Sequence, residues 1–280
     1  MPYPKGRRRF VWSKLSSALV ASIVGSGACS SAPPRVARAP TRGQATLTVM
    51  TYNVNYGLAG DGDTLRAITE QQADVVLLQE TTPAWEAVLR GALGERYPHV
   101  AFRHCCGAGG LAVLSRFPFH ELDYLEPPQG GWFPAWTIDL EAPFGRLQVM
   151  NVHLRPQIGD SGPNVGGILS GMVRTPPIRR REISEHFAHL DAGVPTLIAG
   201  DFNESESGGA LEYLADQGFR SSLPEFSDAD TWHWNTSVVG RVSRRFDHIV
   251  YGRGLEPLSA RVVAAGNSDH LPVVAVFERD

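Results

Sequence analysis

The stretch Leu197-Ile198-Ala199-Gly200-Asp201-Phe202-Asn203 joins a short apolar run to a carboxylate and a carboxamide. Successive side chains of a strand point to opposite faces, so an extended chain places Asp201 and Asn203 together and turns Phe202 to the core. Gly200 permits a sharp turn or a close backbone approach. The alternative is a simple Asx turn. In the extended form, the two polar groups can hold a water molecule beside a phosphate oxygen.

The same arrangement of polar residues at the end of an apolar run recurs along the chain. The further clusters are Thr51-Tyr52-Asn53-Val54-Asn55, Leu78-Gln79-Glu80, Asn151-Val152-His153-Leu154, Arg245-Phe246-Asp247-His248-Ile249 and Ser268-Asp269-His270. They supply carboxylates, carboxamides and imidazoles, and almost no residue that could act as a covalent nucleophile. This inventory suits an oxygen-ligated cation and the attack of water on a phosphate, so it predicts a metal-dependent phosphoesterase.

Individual side chains in these clusters have distinct chemical capacities. Glu80 leaves the core at a strand end and is a natural ligand for Mg²⁺ or Mn²⁺, while Asn53 offers both an acceptor and a donor. His270 titrates near neutral pH and could accept a proton from water, with Asp247 holding its other ring nitrogen. His153 is a second imidazole. Taken singly, each could instead be a solvated strand end, a turn residue or a structural histidine; their joint occurrence favours a site.

The ordered set of motifs resembles the endonuclease/exonuclease/phosphatase superfamily from about Ala45 to Phe277. Members of that superfamily include deoxyribonuclease-like nucleases, abasic-site endonucleases, inositol polyphosphate phosphatases and neutral sphingomyelinases. The resemblance implies an α/β (α+β) fold, a four-layer αββα sandwich of two packed mixed sheets flanked by helices. It also implies dependence on Mg²⁺ or Mn²⁺, with the use of one or two ions left open.

The resemblance also assigns roles by position. It assigns metal binding to Asn53, Glu80 and Asp269. It assigns positioning of water and phosphate to Asp201 and Asn203, phosphate contact to His153 and His270, and orientation of His270 to Asp247. Many relatives have an Arg or Tyr on the middle strand to hold the phosphate, where this chain has Gly131 to Trp136. Arg155 or an arginine of the Arg179 to Arg181 run, such as Arg179, is therefore the predicted phosphate cation; a solvated helix face is the alternative.

Hydrophobic periodicity predicts alternating strands and helices with an all-strand stretch in the middle. Predicted strands are Thr46–Thr51, Val75–Gln79, Leu111–Ser115, Trp136–Leu140, Leu147–Val152, Thr196–Ala199, His248–Tyr251, Ala260–Val263 and Val273–Phe277. Predicted helices begin at Asp63 as N-cap and at Thr82-Pro83, and span Pro177–Leu190 and Gly209–Asp216. Pro156–Thr175 is predicted to be a loop, and Ser227–Arg244 resists assignment; both are expected at the rim of the site.

Charge is distributed unevenly along the chain. The formal net charge of the whole sequence is −3, but residues 1–42 hold eight basic residues and no acid, so residues 43–280 sum to −11 and contain no lysine. A negative domain repels long polyanions more than a compact ester, which favours a small or lipid-derived phosphodiester or monoester as substrate. The alternatives are a secreted nuclease acting on DNA or RNA, and a non-catalytic surface lipoprotein that binds a partner through Trp232-His233-Trp234.

Residues 1–29 are predicted to be an export signal. Arg7-Arg8-Arg9-Phe10 resembles a twin-arginine pattern, and Leu15–Val24 is an apolar run too short to span a bilayer. Ser26-Gly27-Ala28-Cys29 resembles a bacterial lipobox, with Ser26 where Leu or Val is usual. Lipidation at Cys29, a Pro/Ala/Arg-rich tether over 30–44 and a monomeric catalytic domain over 45–280 predict a periplasmic or cell-surface, membrane-anchored protein. A non-lipid cleavage site and an ordinary basic leader are the alternatives.

Cys105 and Cys106 are adjacent. A His104-Cys105-Cys106 metal site fits zinc spacing poorly, because no second ligand cluster accompanies it. Bridge geometry favours wider separation, so the expectation is a strained redox pair or two half-buried thiols.

Overall fold

Two six-stranded mixed sheets account for twelve of the strands in the computed structural model, which describes residues 33–157, 165–236 and 240–280. The predicted export signal, Cys29 and residues 30–32 lie outside the described residues. One sheet has the order β13 (Leu255–Val262), β14 (Val273–Arg279), β1 (Thr46–Asn53), β2 (Val75–Gln79), β4 (Leu111–Ser115) and β3 (His99–Arg103). β1 and β2 are parallel, and the other neighbours are antiparallel.

The second sheet repeats this plan. Its order is β5 (Phe119–Leu125), β6 (Ala135–Ala142), β7 (Gly145–His153), β8 (Thr196–Asp201), β12 (Asp247–Tyr251) and β9 (Arg220–Ser221). Here β7 and β8 form the parallel pair. A separate antiparallel hairpin joins β10 (Trp232–Thr236) to β11 (Gly240–Arg244). Each sheet therefore has one parallel pair at its centre.

Helices cover the outer faces of both sheets, which completes the four-layer sandwich and confirms the predicted fold class. The helices are α1 (Gly62–Thr69), α2 (Pro83–Leu93), α3 (Val165–Phe187), α4 (Gly209–Asp216) and α5 (Leu223–Phe226). One apolar cluster fills the space between the sheets, a second contains α1 and α2 residues, and a third contains α3 and α4 residues. Val75 and Leu77 of β2 belong to the central cluster, whereas Val76 and Leu78 belong to the helix side. Burial on both faces explains the continuous apolar run of this strand.

Local signals placed some helix ends correctly and one incorrectly. Thr82 caps α2 by accepting a hydrogen bond from the backbone N–H of Trp85, and Pro83 occupies the first turn, as predicted. The α1 cap prediction is wrong: Asp61, not Asp63, accepts from the Thr64 N–H at 2.8 Å. Asp63 lies inside the first turn instead, where its negative charge is still favourable.

The predicted loop at Pro156–Thr175 is wrong over its second half, because α3 begins at Val165 and continues through Pro176 and Pro177. The residues from Val165 to Thr175 include Gly166, Gly167, Ser170 and Gly171, which give the segment its loop-like composition, and the two prolines that follow remove two backbone donors from the helix. Burial of Ile183 in the third apolar cluster shows that tertiary packing holds the helix in place. Residues 158–164 lie outside the described part of the chain.

Three edge strands, β3, β5 and β9, were not predicted, whereas the second half of the edge strand β13 was. β3 and β5 each lie at an edge of their sheet, and β9 is two residues long. β5 carries His120, Glu121 and Asp123 among its apolar residues, so its alternation is weak. The unassigned segment Ser227–Arg244 contains the β10–β11 hairpin.

The described part of the predicted tether contacts the domain. Arg35 forms ion pairs with Glu225 and Glu256, and the Arg38 N–H donates to the carbonyl of Leu258. Among the described residues, the longest helices are too polar or too short to cross a bilayer.

Candidate active site

The predicted polar clusters converge where the two parallel strand pairs end. Asn53 ends β1, and Gln79 ends β2 directly before Glu80, in the first sheet. His153 ends β7 and Asp201 ends β8 in the second. Parallel neighbours end at the same edge of a sheet, and the sheets pack face to face, so four polar strand ends meet at one edge of the sandwich.

Asp201 lies at the centre of the cluster. Its Oδ2 accepts a hydrogen bond from Asn53 Nδ2 at 3.1 Å and lies 3.4 Å from His153 Nε2 and 3.5 Å from His270 Nε2. The carboxylate is almost fully buried. Burial raises the pKa of Asp201, while the neighbouring His270 opposes that rise. One oxygen atom is thus shared by groups from both sheets.

His270 is held by a second carboxylate. Its Nδ1 lies 2.9 Å from Asp247 Oδ2, which also accepts a hydrogen bond from the hydroxyl of Thr231 at 2.6 Å. Burial opposes protonation of the ring, but the charges of Asp247 and Asp201 outweigh it and raise the pKa of His270 to about 10. His270 is therefore an imidazolium near neutral pH, with Asp247 in the orienting position that the sequence predicts.

His153 is in the opposite protonation state. Its Nδ1 lies 3.2 Å from the carbonyl oxygen of Ala108, and a carbonyl can only accept, so Nδ1 carries the hydrogen. Burial lowers the pKa of His153. The ring also stacks on Phe133, with the ring centroids 4.2 Å apart. A neutral ring in this tautomer presents a bare Nε2 toward Asp201.

Glu80 forms the other end of the cluster. Its carboxylate accepts from Asn53 Nδ2 at 3.0 Å and from the Tyr56 N–H at 3.2 Å. Burial raises the pKa of Glu80. Asp269 accepts from Asn55 Nδ2 and from the indole Nε1 of Trp232, each at 3.2 Å. The acidic side chains of the cluster are thus held mainly by neutral donors.

Two groups within the described residues have the chemistry to hold a metal ion. Asp201, Asp247 and His270 offer ligand atoms that all lie within 4.8 Å of one another. Glu80 and Asn53 have oxygen atoms at the other end, with Asp269 near them, and metal binding by these three residues stays a prediction. Four carboxylates face one imidazolium, because His153 is neutral, and this excess of negative charge fits a divalent cation.

Unusual backbone conformations concentrate at the site. Asn55, Glu80 and Asn203 have φ of 58°, 60° and 53°, in the left-handed region that residues other than glycine rarely adopt. Gly200 has φ of 151°, and a Cβ there would lie 1.9 Å from the Val152 carbonyl oxygen, so only glycine fits. Strain of this kind persists where the surrounding structure enforces it, and it clusters at functional sites.

The chain turns after Asp201 and does not stay extended. β8 ends at Asp201, whose Oδ1 accepts from the Asn203 N–H at 2.9 Å, which is the Asx bond of the alternative interpretation. Phe202 is buried as predicted. Asn203 Nδ2 donates to the Leu154 carbonyl, so its side chain is tied to the β7 end. The Asx turn therefore places Asn203 beside the cluster.

The two predicted phosphate cations contact groups of the protein itself. The guanidinium of Arg155 sits over the Trp132 ring at 3.6 Å and donates to the Gly130 carbonyl. Arg179 is buried in an ion pair with Glu204 at 2.7 Å and donates to Thr175 Oγ1. Both arginines contact neighbouring loops, and phosphate binding by either stays a prediction.

Sequence reasoning missed the residues that orient the cluster. Ser268 donates to the Asn53 carbonyl and accepts from the His270 N–H, and so links two strand ends. Gln79 Nε2 donates to Asn151 Oδ1 at 2.8 Å across the buried gap between the sheets. The motifs Leu78-Gln79-Glu80 and Asn151-Val152-His153 contain this pair, but only the packed sheets show that their amides bond to each other.

Aromatic side chains surround the cluster. Trp232 bonds to Asp269, and Trp234, two residues along β10, is 43% exposed. Tyr56, whose backbone N–H binds Glu80, is 56% exposed. The predicted rim of Trp232-His233-Trp234 is therefore adjacent to the acidic site.

Comparison with known proteins agrees with this geometry. The model of the "Endonuclease/Exonuclease/phosphatase family" matches residues 50–270. No curated protein sequence matches the chain significantly. Similar solved structures include an endonuclease/exonuclease/phosphatase from Beutenbergia cavernae DSM 12333, with 20% identity, TM-score 0.61, and coverage of 84% of this chain and 72% of that one.

Two further solved structures share the fold. TDP2 of D. rerio, complexed with a single-strand DNA product, has 16% identity, TM-score 0.61, and coverage of 83% of this chain and 99% of that one. ANGEL2, described as a 2',3'-cyclic phosphatase in complex with adenosine-2',3'-vanadate, has 18% identity, TM-score 0.59, and coverage of 84% and 96%.

Proposed function

The chain belongs to the endonuclease/exonuclease/phosphatase family, and from this we propose that it is a Mg²⁺- or Mn²⁺-dependent phosphoesterase that hydrolyses its substrate by in-line attack of water. One observation carries the proposal. Asp201 Oδ2 is approached by Asn53, His153 and His270 from strand ends of both sheets. Such a constellation of one buried carboxylate, two imidazoles of opposite protonation state and a nearby acidic pair suits water attack on a phosphorus centre.

The metal would be held at the acidic end of the cluster. Glu80 is the main ligand in this proposal, with Asn53 and Asp269 near it. A bound divalent cation would polarise the phosphoryl group and neutralise developing charge. The Asp201, Asp247 and His270 group is the alternative position.

The chain's own residues would handle the water and its proton. Asp201 is placed to accept the proton of the attacking water, because burial raises its pKa and so makes it a stronger base. Asn203, bonded to Asp201 through its backbone, is placed to orient the water or a phosphate oxygen. His270, an imidazolium fixed by Asp247, is placed to donate a hydrogen bond to the phosphate and stabilise its charge.

A small or lipid-derived phosphoester is the favoured substrate class. The negative charge of residues 43–280 disfavours a polyanion, and the exposed Tyr56 and Trp234 beside the acids offer apolar contact. The second candidate is nuclease activity on DNA or RNA, which the similarity to TDP2 in complex with a single-strand DNA product favours.

Export and anchoring complete the proposal. The basic leader, the apolar run from Leu15 to Val24 and the lipobox-like sequence before Cys29 support a periplasmic or cell-surface protein held to the membrane by a lipid on Cys29. Such an anchor would keep the site near lipid-derived esters.

A panel assay tests the proposed reaction. Purified full-length protein is given Mg²⁺ or Mn²⁺ and a chromogenic phosphodiester, a phospholipid or plasmid DNA. We expect hydrolysis that stops with a chelator and returns with added metal. Failure of all three substrates under both metals would favour the non-catalytic lipoprotein instead.

A further inference from the structure

The bond between Cys105 and Cys106 lies beside the candidate active site. The two cysteines are joined as a disulfide in the loop that links β3 to β4. The backbone turns tightly there, with φ of 20° at Cys106 and 69° at Gly107. Of the two outcomes that the sequence predicts for these cysteines, the structure has the bonded pair and not two free thiols, and its redox activity stays a prediction.

This loop is fixed against the site at three points. The Gly110 carbonyl accepts from the N–H of Thr81, the residue after Glu80. Gly109 packs under the disulfide: a Cβ there would lie 2.7 Å from Cys106 Sγ and 3.0 Å from the Phe133 ring. Ala108 lies between Gly109 and the bridge in the sequence, and its carbonyl accepts a hydrogen bond from His153 Nδ1.

The bridge is therefore two residues away from the carbonyl group that bonds to the His153 ring. The Ala108 oxygen fixes the tautomer that leaves Nε2 bare toward Asp201, and Phe133 stacks on the same ring. A movement of about 1 Å in this short segment would break the Ala108 bond, because N–H···O bonds span about 2.7 to 3.2 Å and this one is already at the long end of that range. Misplacement of that size at a reacting group can lower turnover strongly.

A role in holding the whole fold together does not explain this bridge. A disulfide stabilises mainly by closing a loop in the unfolded chain, and the effect grows with loop length. Adjacent cysteines close the shortest loop of all, so the constraint falls on the local conformation of residues 104–110. Cys106 is exposed and Cys105 is half-buried, so a dissolved reductant can reach the bond.

We propose that the Cys105–Cys106 pair is a redox-controlled positioning element for the imidazole of His153. A dithiol supplies two electrons and two protons, closes to its own disulfide, and leaves Cys105 and Cys106 as thiols. Cys106 Sγ lies 3.7 Å from the Trp132 carbonyl, an acceptor that a thiol can use and a disulfide sulfur cannot. Reduction thereby releases the turn and offers Cys106 a new bond away from Ala108.

The test compares oxidised and reduced full-length protein, with the thiols at each cysteine assigned by differential alkylation and mass spectrometry. Because the proposal rests on the proposed function, activity and structure are read separately. Phosphodiester hydrolysis is measured with Mg²⁺, which prefers oxygen to thiol ligands. We expect reduction to lower kcat by about tenfold with little change in KM, and reoxidation to restore it.

Variants separate the bridge from other thiols. Cys105→Ser and Cys106→Ser should each have the activity of the reduced protein and ignore the dithiol. Cys29→Ser is the matched control, and it should respond as the wild type does. A wild type with unchanged kcat after complete reduction of both cysteines overturns the proposal.

Nuclear magnetic resonance of the histidine rings gives the second measurement. The His153 ring signals, assigned with His153→Asn, should shift on reduction even if none of the esters is a substrate. In that event the proposed function fails while the positioning role stands. Unchanged His153 signals with both thiols free would refute the positioning role whatever the activity.

Discussion

Asp201 shows how one side chain can serve both the fold and the chemistry. Its Oδ1 closes the turn after β8 through the Asn203 N–H, while its Oδ2 faces Asn53 and two imidazoles. A buried carboxylate without such partners would be strongly destabilising, so the surrounding donors are what allow it to stay in the site. Burial raises the pKa of Asp201 against the opposing effect of His270, and this rise is what supports its proposed role as the proton acceptor of the cluster.

Substitutions at the two ends of the cluster should impair activity in different ways. Glu80→Ala removes the main predicted metal ligand, so we expect the Mg²⁺ concentration for half-maximal activity to rise by about tenfold or more. His270→Ala removes the imidazolium that is proposed to contact the phosphate, so we expect kcat to fall by about 10²-fold or more at saturating Mg²⁺. Initial rates over a titration of Mg²⁺ distinguish the two effects.

An exposed pair provides matched controls for these variants. His120 and Glu141 face each other across β5 and β6, 3.8 Å apart, on side chains that are largely exposed. His120→Ala and Glu141→Ala should leave both the Mg²⁺ requirement and kcat at wild-type values. Activity like that of the wild type in His270→Ala would refute its role.

The limits of prediction at single residues follow from hydrogen bonding. Glu80, Asp201 and His270 are recognisable in the sequence because the first two follow an apolar run and the third precedes one. Thr231 donates a hydrogen bond to Asp247 from 16 residues earlier in the chain, and its sequence surroundings carry no such signal. Arg179 shows the reverse: it lies in an arginine run that looks solvated, yet a buried carboxylate from a distant segment binds it. Partners of that kind exist only once the sheets are packed.

A strand or helix could be predicted to the extent that its own sequence has a clear hydrophobic pattern. Strands such as β2, which is buried on both faces, could be predicted directly from the sequence. The β10–β11 hairpin and the first half of α3 did not, because contacts with other elements decide them. Trp232 pairs in an isolated bridge with His270, a contact between segments 38 residues apart in the chain. That bridge fixes the rim beside the acids.

Glu182 of α3 joins three elements at a buried point. Its Oε2 accepts from the Arg155 N–H at 2.9 Å, and its Oε1 lies close to Gly131. Burial raises the pKa of Glu182 to about 7. A raised pKa means that the folded state binds the proton more tightly than the unfolded state between about pH 4.5 and 7. The free energy of unfolding therefore falls as pH rises through this window.

Replacing Glu182 should remove this pH dependence. For Glu182→Gln, we expect the free energy of unfolding relative to wild type to rise by up to about 3 kcal/mol from pH 4.5 to pH 8. Urea unfolding at several pH values measures the difference. Glu141→Gln, at an exposed position, should follow the wild-type curve. Parallel curves for Glu182→Gln and wild type would show that Glu182 keeps an ordinary pKa.

At the scale of the whole molecule, the two sheets meet through a polar link as well as an apolar core. The Gln79 and Asn151 amides bond across the gap, and Asn151 Nδ2 also donates to the Leu78 and Ala112 carbonyls. Buried amides that satisfy one another in this way fix the relative position of the sheets. The link lies one residue from Glu80 and two from His153, so it sets the spacing between the halves of the site.

The predicted export signal leads to a testable expectation for the intact chain. Expressed in a bacterium, the protein should partition with the membrane fraction, because the proposed acylation at Cys29 would anchor it. Cys29→Ala should release the protein into the periplasm or stall its processing. Fractionation followed by mass spectrometry of the amino terminus measures both. Unprocessed chain found in the cytoplasm would contradict export.

The net charge of the domain favours a small or lipid-derived ester over nucleic acid as the proposed substrate. Residues 43–280 carry a net charge of −11 without a single lysine, and several arginines are already used internally, as in the Arg179–Glu204 and Arg35–Glu225 pairs. A protein that binds duplex DNA neutralises many phosphates, and its affinity then falls steeply as salt displaces it. A compact ester contacts only the site, so the negative field of the domain repels it far less. Tyr56 and Trp234, exposed beside the acids, would add apolar contact for a lipid-like or aromatic group.

We therefore expect faster hydrolysis of a small phosphodiester or phospholipid than of plasmid DNA at matched phosphate concentration and low salt. The rate on the small ester should change little between about 50 and 200 mM salt, the range over which DNA-binding proteins lose most of their affinity. Trp234→Ala should slow phospholipid hydrolysis more than hydrolysis of the small ester, because only the lipid reaches the rim. Faster cleavage of DNA, with a steep loss as salt rises, would reverse the preference and establish the nuclease as the better description of this site.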